Sequence, residues 1–177
     1  MAVSALVRAE LARHDWTALR CICGDSAEHV PLLFEALLTA ETPRDAFGYS
    51  LDGHVEEGTV IHECTPPAVG VILAALAGEV APTVRREFLD TLVRVAAGSD
   101  CTDASPVEWA GDECRAVAQE GFWLLVQIGL SGSADDADAV ADICEYFNLG
   151  GQKSAHYQAL LRERVQAKTK RRAPVTR

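Results

Sequence analysis

The residues of this chain best suited to bind a metal are two cysteines one position apart, Cys21-Ile22-Cys23-Gly24, and the triplet His62-Glu63-Cys64. Thiolates and imidazoles are the usual ligands of tetrahedral zinc, and those positions together would make a Cys3His set. Their spacing argues against one. Cys21-x-Cys23 is tighter than the usual paired-cysteine ligand spacing, and nothing else in the chain repeats it. The expectation is that the thiols fill the core as small hydrophobes, with neither metal nor cofactor bound. His62-Glu63 also opens like the zincin motif H-E-x-x-H, but the second histidine position holds Pro66, so a metalloprotease reading fails.

A second group is Asp52, His54, Glu56, Glu57, His62 and Glu63, set among glycines. At helical spacing Asp52 and Glu56 would share one ridge. Acid–base catalysis by such residues needs a pocket that shifts their pKa values, and a nucleophile or metal beside them. The sequence displays none of these, so no catalytic residue is assigned. A solvated face and a partner-binding ridge both stay open. Trp16 and Trp123 read as anchors of the core. Trp109 follows a polar stretch, where an exposed tryptophan would be an interface hot spot and a buried one a cap on the end of the fold. The candidate partner-binding set is therefore Asp52, His54, Glu56, Glu57, Glu63 and Trp109.

Charge narrows the partner. The formal net charge is −10, yet residues 162–177 hold seven cations against Glu163 alone, so the acidic excess lies in the rest of the chain. Phosphate binding needs a cationic surface, which leaves only the tail for nucleic acid. An acidic body suits a basic protein partner, although solubility alone would also explain it. The start, MAVSALVRAELARHDW, carries charges throughout and lacks the apolar run of a secretory signal, and no stretch would span a membrane. A cytoplasmic protein with six reduced cysteines is expected.

These residues must be positioned by helices. Ala, Leu and Val dominate the apolar content and only 6% of residues are aromatic, which suits close helix contact better than strands. Apolar periodicity predicts helices over 2–13, 26–40, 43–63, 68–77, 82–97, 107–130, 134–147 and 154–168. The 43–63 helix carries its own warning, because Gly48, Gly53 and Gly58 each cost about 1 kcal/mol in a helix interior, so a bent or divided helix is expected there. Residues 68–77 are apolar all round and should form the central helix. Thr42-Pro43-Arg44-Asp45 is the clearest start signal. Gly98 to Pro106 should be a polar loop, and residues 169–177 a basic disordered tail beyond a single domain of 1–168.

One weak repeat appears. Val30, Leu33, Phe34, Leu37, Leu38 and Glu41 align with Ala68, Val71, Ile72, Ala75, Leu76 and Glu79, an offset of 38 residues that lies near the HEAT period. The expected fold is all-α, a short right-handed α-α superhelix of HEAT-like antiparallel pairs with about seven to eight helices. The pattern Asp15-Trp16-x-Ala18-Leu19-Arg20-Cys21-x-Cys23-Gly24, then Glu28-His29-Val30-Pro31, Leu51-Asp52-Gly53-His54-Val55 and Pro66-Pro67-Ala68-Val69, resembles a group of actinobacterial HEAT-repeat proteins over about residues 10–100. The resemblance implies a non-catalytic, protein-binding scaffold, with an immunity protein that neutralises a basic toxin as its concrete form. A HEAT-like DNA-repair glycosylase and an adaptor in a biosynthetic cluster are the alternatives.

Overall fold

The computed structural model describes residues 2–42, 44–46, 48–100 and 109–172. Its first helix, α1 (Ala5–Ala12), starts where the Ser4 hydroxyl accepts the Val7 N–H, and it buries Val7 and Leu11. It ends because Trp16 folds back beneath it: the buried indole Nε1 donates to the Leu11 carbonyl at 2.7 Å, satisfying one of the acceptors a helix end leaves open. An irregular loop and a 3-10 turn (Ala27–His29) lead into α2 (Val30–Thr39), with Pro31 in its first turn.

The expected helix over 43–63 does not form. Gly48, Gly53 and Gly58 take φ of +88°, +79° and +63°, a left-handed backbone that interrupts any α-helix. The segment becomes turns and a hairpin, β1 (Glu56–Glu57) with β2 (Val60–Ile61), registered Glu56 to Ile61. Gly58 and Thr59 make its two-residue turn, and a positive φ at the first central position alone is the type II′ geometry that matches strand twist. Pro43, in the start signal, lies outside the described residues. Asp45 still closes that turn by accepting from the Thr42 N–H and hydroxyl, both at 2.8 Å.

From Thr65 on the helices follow the apolar pattern. The central helix α3 (Thr65–Leu76) opens with Pro66 and Pro67 and is buried on nearly every side. Next comes α4 (Pro82–Asp100), which buries Val84, Phe88, Leu89, Leu92, Val95 and Ala96 and extends into the stretch expected as loop. The remainder of that loop, with Cys101, lies outside the described residues. The expected 107–130 helix is two, α5 (Ala110–Glu120) and α6 (Phe122–Ser131). They divide at Gly121, where a Cβ would come within 2.6 Å of Leu73 Cδ2. A capping box of Ser133 and Asp136 starts α7 (Ala134–Tyr146), and Gly150 and Gly151, both at positive φ, precede α8 (Ser154–Arg172). The helix α8 thus runs into the segment expected as tail, and residues 173–177 lie outside the described ones.

The fold is all-α with eight α-helices among the described residues and one two-stranded hairpin. Helix α3 packs against α1, α4 and α5, while α7 packs against α4, α6 and α8. Trp16 is a core residue as expected, but Trp123 is not: its side chain is 54% exposed. It sits edge-on to Phe122 and Tyr157 at 5.1 and 5.5 Å, with the Lys153 ammonium 4.8 Å above the ring. The neighbouring Phe122 takes the inward position instead. Among the described residues, no helix is long and apolar enough to cross a membrane.

Candidate metal centre

The irregular loop before α2 closes on itself. The Cys21 N–H donates to the Asp25 carbonyl at 2.9 Å, Gly24 donates back to the Cys21 carbonyl at 3.1 Å, and Ala27 donates to Leu19 at 2.9 Å. Gly24 at φ +94° makes the tight return possible. This turn points the Cys21 and Cys23 thiols in one direction. His29, at the end of the 3-10 turn, reaches the same point.

The fourth side chain comes from the glycine-rich segment. A turn between Leu51 and Val55, both fully buried, presents His54. The His54 carbonyl accepts from the Ile22 N–H at 3.3 Å and from the thiols of Cys21 and Cys64 at 3.2 and 3.4 Å. One peptide group thereby stitches the glycine-rich segment to the cysteine loop and to the start of α3.

The donor atoms of Cys21, Cys23, His29 and His54 all lie within 4.8 Å of one another. His29 Nε2 stands 2.9 Å from His54 Nδ1, Cys21 Sγ stands 3.5 Å from His29 Nε2 and 3.7 Å from His54 Nδ1, and Cys23 Sγ stands 3.9 Å from His29 Nε2. Zinc bonds of about 2.3 Å to sulfur and about 2.0–2.1 Å to nitrogen, at tetrahedral angles, put N···N edges at roughly 3.3 Å and S···N edges at roughly 3.6 Å. The three S···N edges lie within a few tenths of an ångström of those lengths and the N···N edge is shorter by about as much, while the widest separation in the set, up to 4.8 Å, would have to close by about an ångström of side-chain movement around an ion. Without a cation, one imidazole must donate to the other.

Burial makes the site favour uncharged side chains. Burial pushes the Cys21 thiol up to about 11, helped by the neighbouring Cys23. Burial, then the nearby Cys21, pushes Cys64 up to about 12. Burial, then the adjacent His29, holds His54 below the usual imidazole value, in the neutral form that ligates metals. The site accommodates neutral imidazoles and disfavours unpaired thiolates, and a divalent ion would reverse the second preference. Cys21 is buried, the two histidines are partly buried and Cys23 is exposed, which leaves an entry path from solvent.

The thiols that were expected to pack as inert hydrophobes therefore divide. Cys114 and Cys144 do so, with burial pushing both thiols up. The ligand set weighed from the sequence, Cys21 and Cys23 with His62 and Cys64, is not the one that converges: His62 Nδ1 accepts its neighbour's backbone N–H from Glu63 at 3.0 Å. His29 and His54 take the remaining places. Their signal in the sequence was faint, a histidine six residues after Cys23 and another 25 residues further on.

The six partner-binding candidates also separate. His54 belongs to the cluster. Glu56 is fully buried and bonded to Arg94 Nε at 2.5 Å; burial still raises its carboxyl pKa, against the lowering effect of Arg94. It cannot meet a partner. Asp52 and Glu57 are exposed near the hairpin. Glu63, which accepts the Arg20 N–H at 2.9 Å, lines a surface depression together with Trp109, 49% exposed. No family model, curated protein or solved structure matches the chain.

Proposed function

We propose that this chain is a non-catalytic, HEAT-like protein-binding scaffold with an acidic surface, whose amino-terminal third is clamped by one zinc ion held by Cys21, Cys23, His29 and His54. The convergence of those four donors carries the reading. They come from three separate segments with little regular structure, and two soft and two borderline ligands within reach of one ion suit zinc above other common cations. Four protein ligands fill a tetrahedral shell and leave no position for a substrate, which is the pattern of structural zinc. The ion would join the cysteine loop, the start of α2 and the glycine-rich turn. The net charge of −10 supports a basic partner for the scaffold.

Elemental analysis of desalted protein should find about one zinc per chain, with the metal lost in Cys23→Ser and His54→Ala. Cobalt substitution should give the intense visible bands of a tetrahedral thiolate site. A weak octahedral spectrum, or protein that stays metal-free after expression with added zinc, would overturn the reading.

A further inference from the structure

Helix α3 forms the floor of a shallow trough whose walls are α1 and α5. Two depressions, the larger about 380 Å³, meet at Arg13, Val117 and Glu120 to form it. The floor residues Pro66, Gly70, Leu73, Ala74 and Ala77 recur at helical spacing, so they lie along one face of α3. All but Leu73 are small or flat, and the strip is about 16 Å long at 1.5 Å per residue. One wall presents Leu6, Glu10 and Arg13 of α1, and the other presents Trp109, Glu113, Val117 and Glu120 along α5, again at helical spacing.

Two large apolar side chains on these walls face water: Leu6 is 55% exposed and Trp109 49%. Between them the rim is acidic. Glu10, Asp15, Glu63, Glu113 and Glu120 line the trough against His14 and a single guanidinium, Arg13, which Glu10 already engages at 2.7 Å. An apolar floor flanked by helices suits an occupant of matching shape, and the carboxylates of Glu113 and Glu120 on the α5 wall call for cations along that flank, the α1 wall being neutral where Glu10 meets Arg13.

We infer that this trough docks a basic amphipathic helix of a partner protein, about three turns long, with its apolar stripe on α3, Trp109 as the anchor, and lysine or arginine facing the acidic α5 wall. The inference rests on the scaffold reading above and supplies its partner class. A second copy of this chain fits poorly, because an acidic protein would bring carboxylates to carboxylates. Nucleic acid is disfavoured by the same walls.

The test uses the full chain and a fluorescein-labelled peptide of leucine and lysine, with leucines at i, i+3, i+4 and i+7. Its controls are a scrambled peptide of the same composition and a peptide with glutamate in place of lysine. By fluorescence anisotropy the ordered peptide should bind about tenfold tighter than the scrambled one, and Trp109→Ala should weaken it about tenfold. Joint Glu113→Lys and Glu120→Lys should weaken it at least as much, while Glu35→Lys with Glu41→Lys, an equal charge change elsewhere, should leave it within about twofold. Equal binding of the scrambled peptide, or equal loss in both charge-reversed variants, would overturn the proposal as plain charge attraction. Tighter binding after removal of residues 169–177 would instead assign the trough to the chain's own basic tail. A dimer in sedimentation that Trp109→Ala dissolves would assign it to a second copy. Zinc content measured on the same samples separates the two readings: metal-free protein that still discriminates the peptides defeats the clamp and keeps the trough, and zinc-loaded protein that does not discriminate does the reverse.

Discussion

The segment before α3 and the helices from α3 onward hold themselves together by different means. From Thr65 on, helices satisfy their own backbone and bury continuous apolar faces: Phe88, Leu89 and Leu92 of α4, Ile143 and Phe147 in and just after α7, and Leu161 of α8 are all fully buried. Residues 13–29 and 40–64 are mostly turns, and their order depends on side chains that reach across. Examples are the Trp16 indole, the Asp45 turn, the shared His54 carbonyl and the Cys2His2 cluster. Regular structure is stabilised by many weak equivalent contacts, whereas irregular structure hangs on a few that cannot be exchanged.

That contrast can be broken most forcefully from the helical side. Phe88→Ala should cost about 4 kcal/mol in chemical denaturation, with or without zinc, because Phe88 packs 5.9 Å from Phe34 in a sealed core. Chelation should act on the other region. With free zinc about a thousandfold above its dissociation constant, removal costs about 4 kcal/mol. Hydrogen exchange should show protection falling over residues 15–64 and holding over α4, α6 and α7; a uniform loss would erase the distinction.

The hairpin joins the two regions, and smaller perturbations there sharpen the comparison. Glu56→Ala should destabilise by about 2 kcal/mol, less than for a fully buried pair because Arg94 keeps a third of its side chain in water. Glu56→Gln tests the sign. Burial raises this carboxyl above its ordinary 4.5, so its contribution to stability is complete below that value and declines as pH rises through the higher folded value. A glutamine, which keeps an acceptor for Arg94, should flatten that decline in melts taken between pH 4.5 and neutrality. Gly98→Ala should cost about 1–2 kcal/mol, since a Cβ there collides with the Thr59 carbonyl. The smallest effect belongs to Trp123→Ala, under about 1 kcal/mol, because the ring lies on the rim.

Legibility in the sequence followed the same divide. The helices α3, α4 and α7 could be read because an apolar stripe at helical period is a local property, and Pro66-Pro67 and Ser133 mark their starts. The break at Gly121 was missed, as was the close approach there to Leu73, a neighbour in space and not in sequence. The 43–63 segment was misread for a related reason: three glycines were counted as a cost inside a helix when their left-handed backbone was the structure itself. The ligand set failed on distance along the chain. Cys21 and Cys23 announced themselves, but His54 joins them only through a turn between two buried residues. Of the polar candidates, Glu63 and Trp109 share a surface, while burial removes Glu56 from it.

Arg162 reaches three acids of α7 at once, Asp138, Asp142 and Glu145, at 2.8, 2.6 and 3.1 Å. To the apolar fastening that α8 makes through buried Leu161 and the partly buried Tyr157 and Val165, this guanidinium thus adds a charged one. Fastenings of that kind weaken as dissolved ions shorten the reach of charge, to about 8 Å at physiological strength and about 3 Å in molar salt. The carboxy-terminal helix should therefore lose part of its hold in brine and keep the part made by Leu161, while the apolar centre of the molecule is indifferent to such screening.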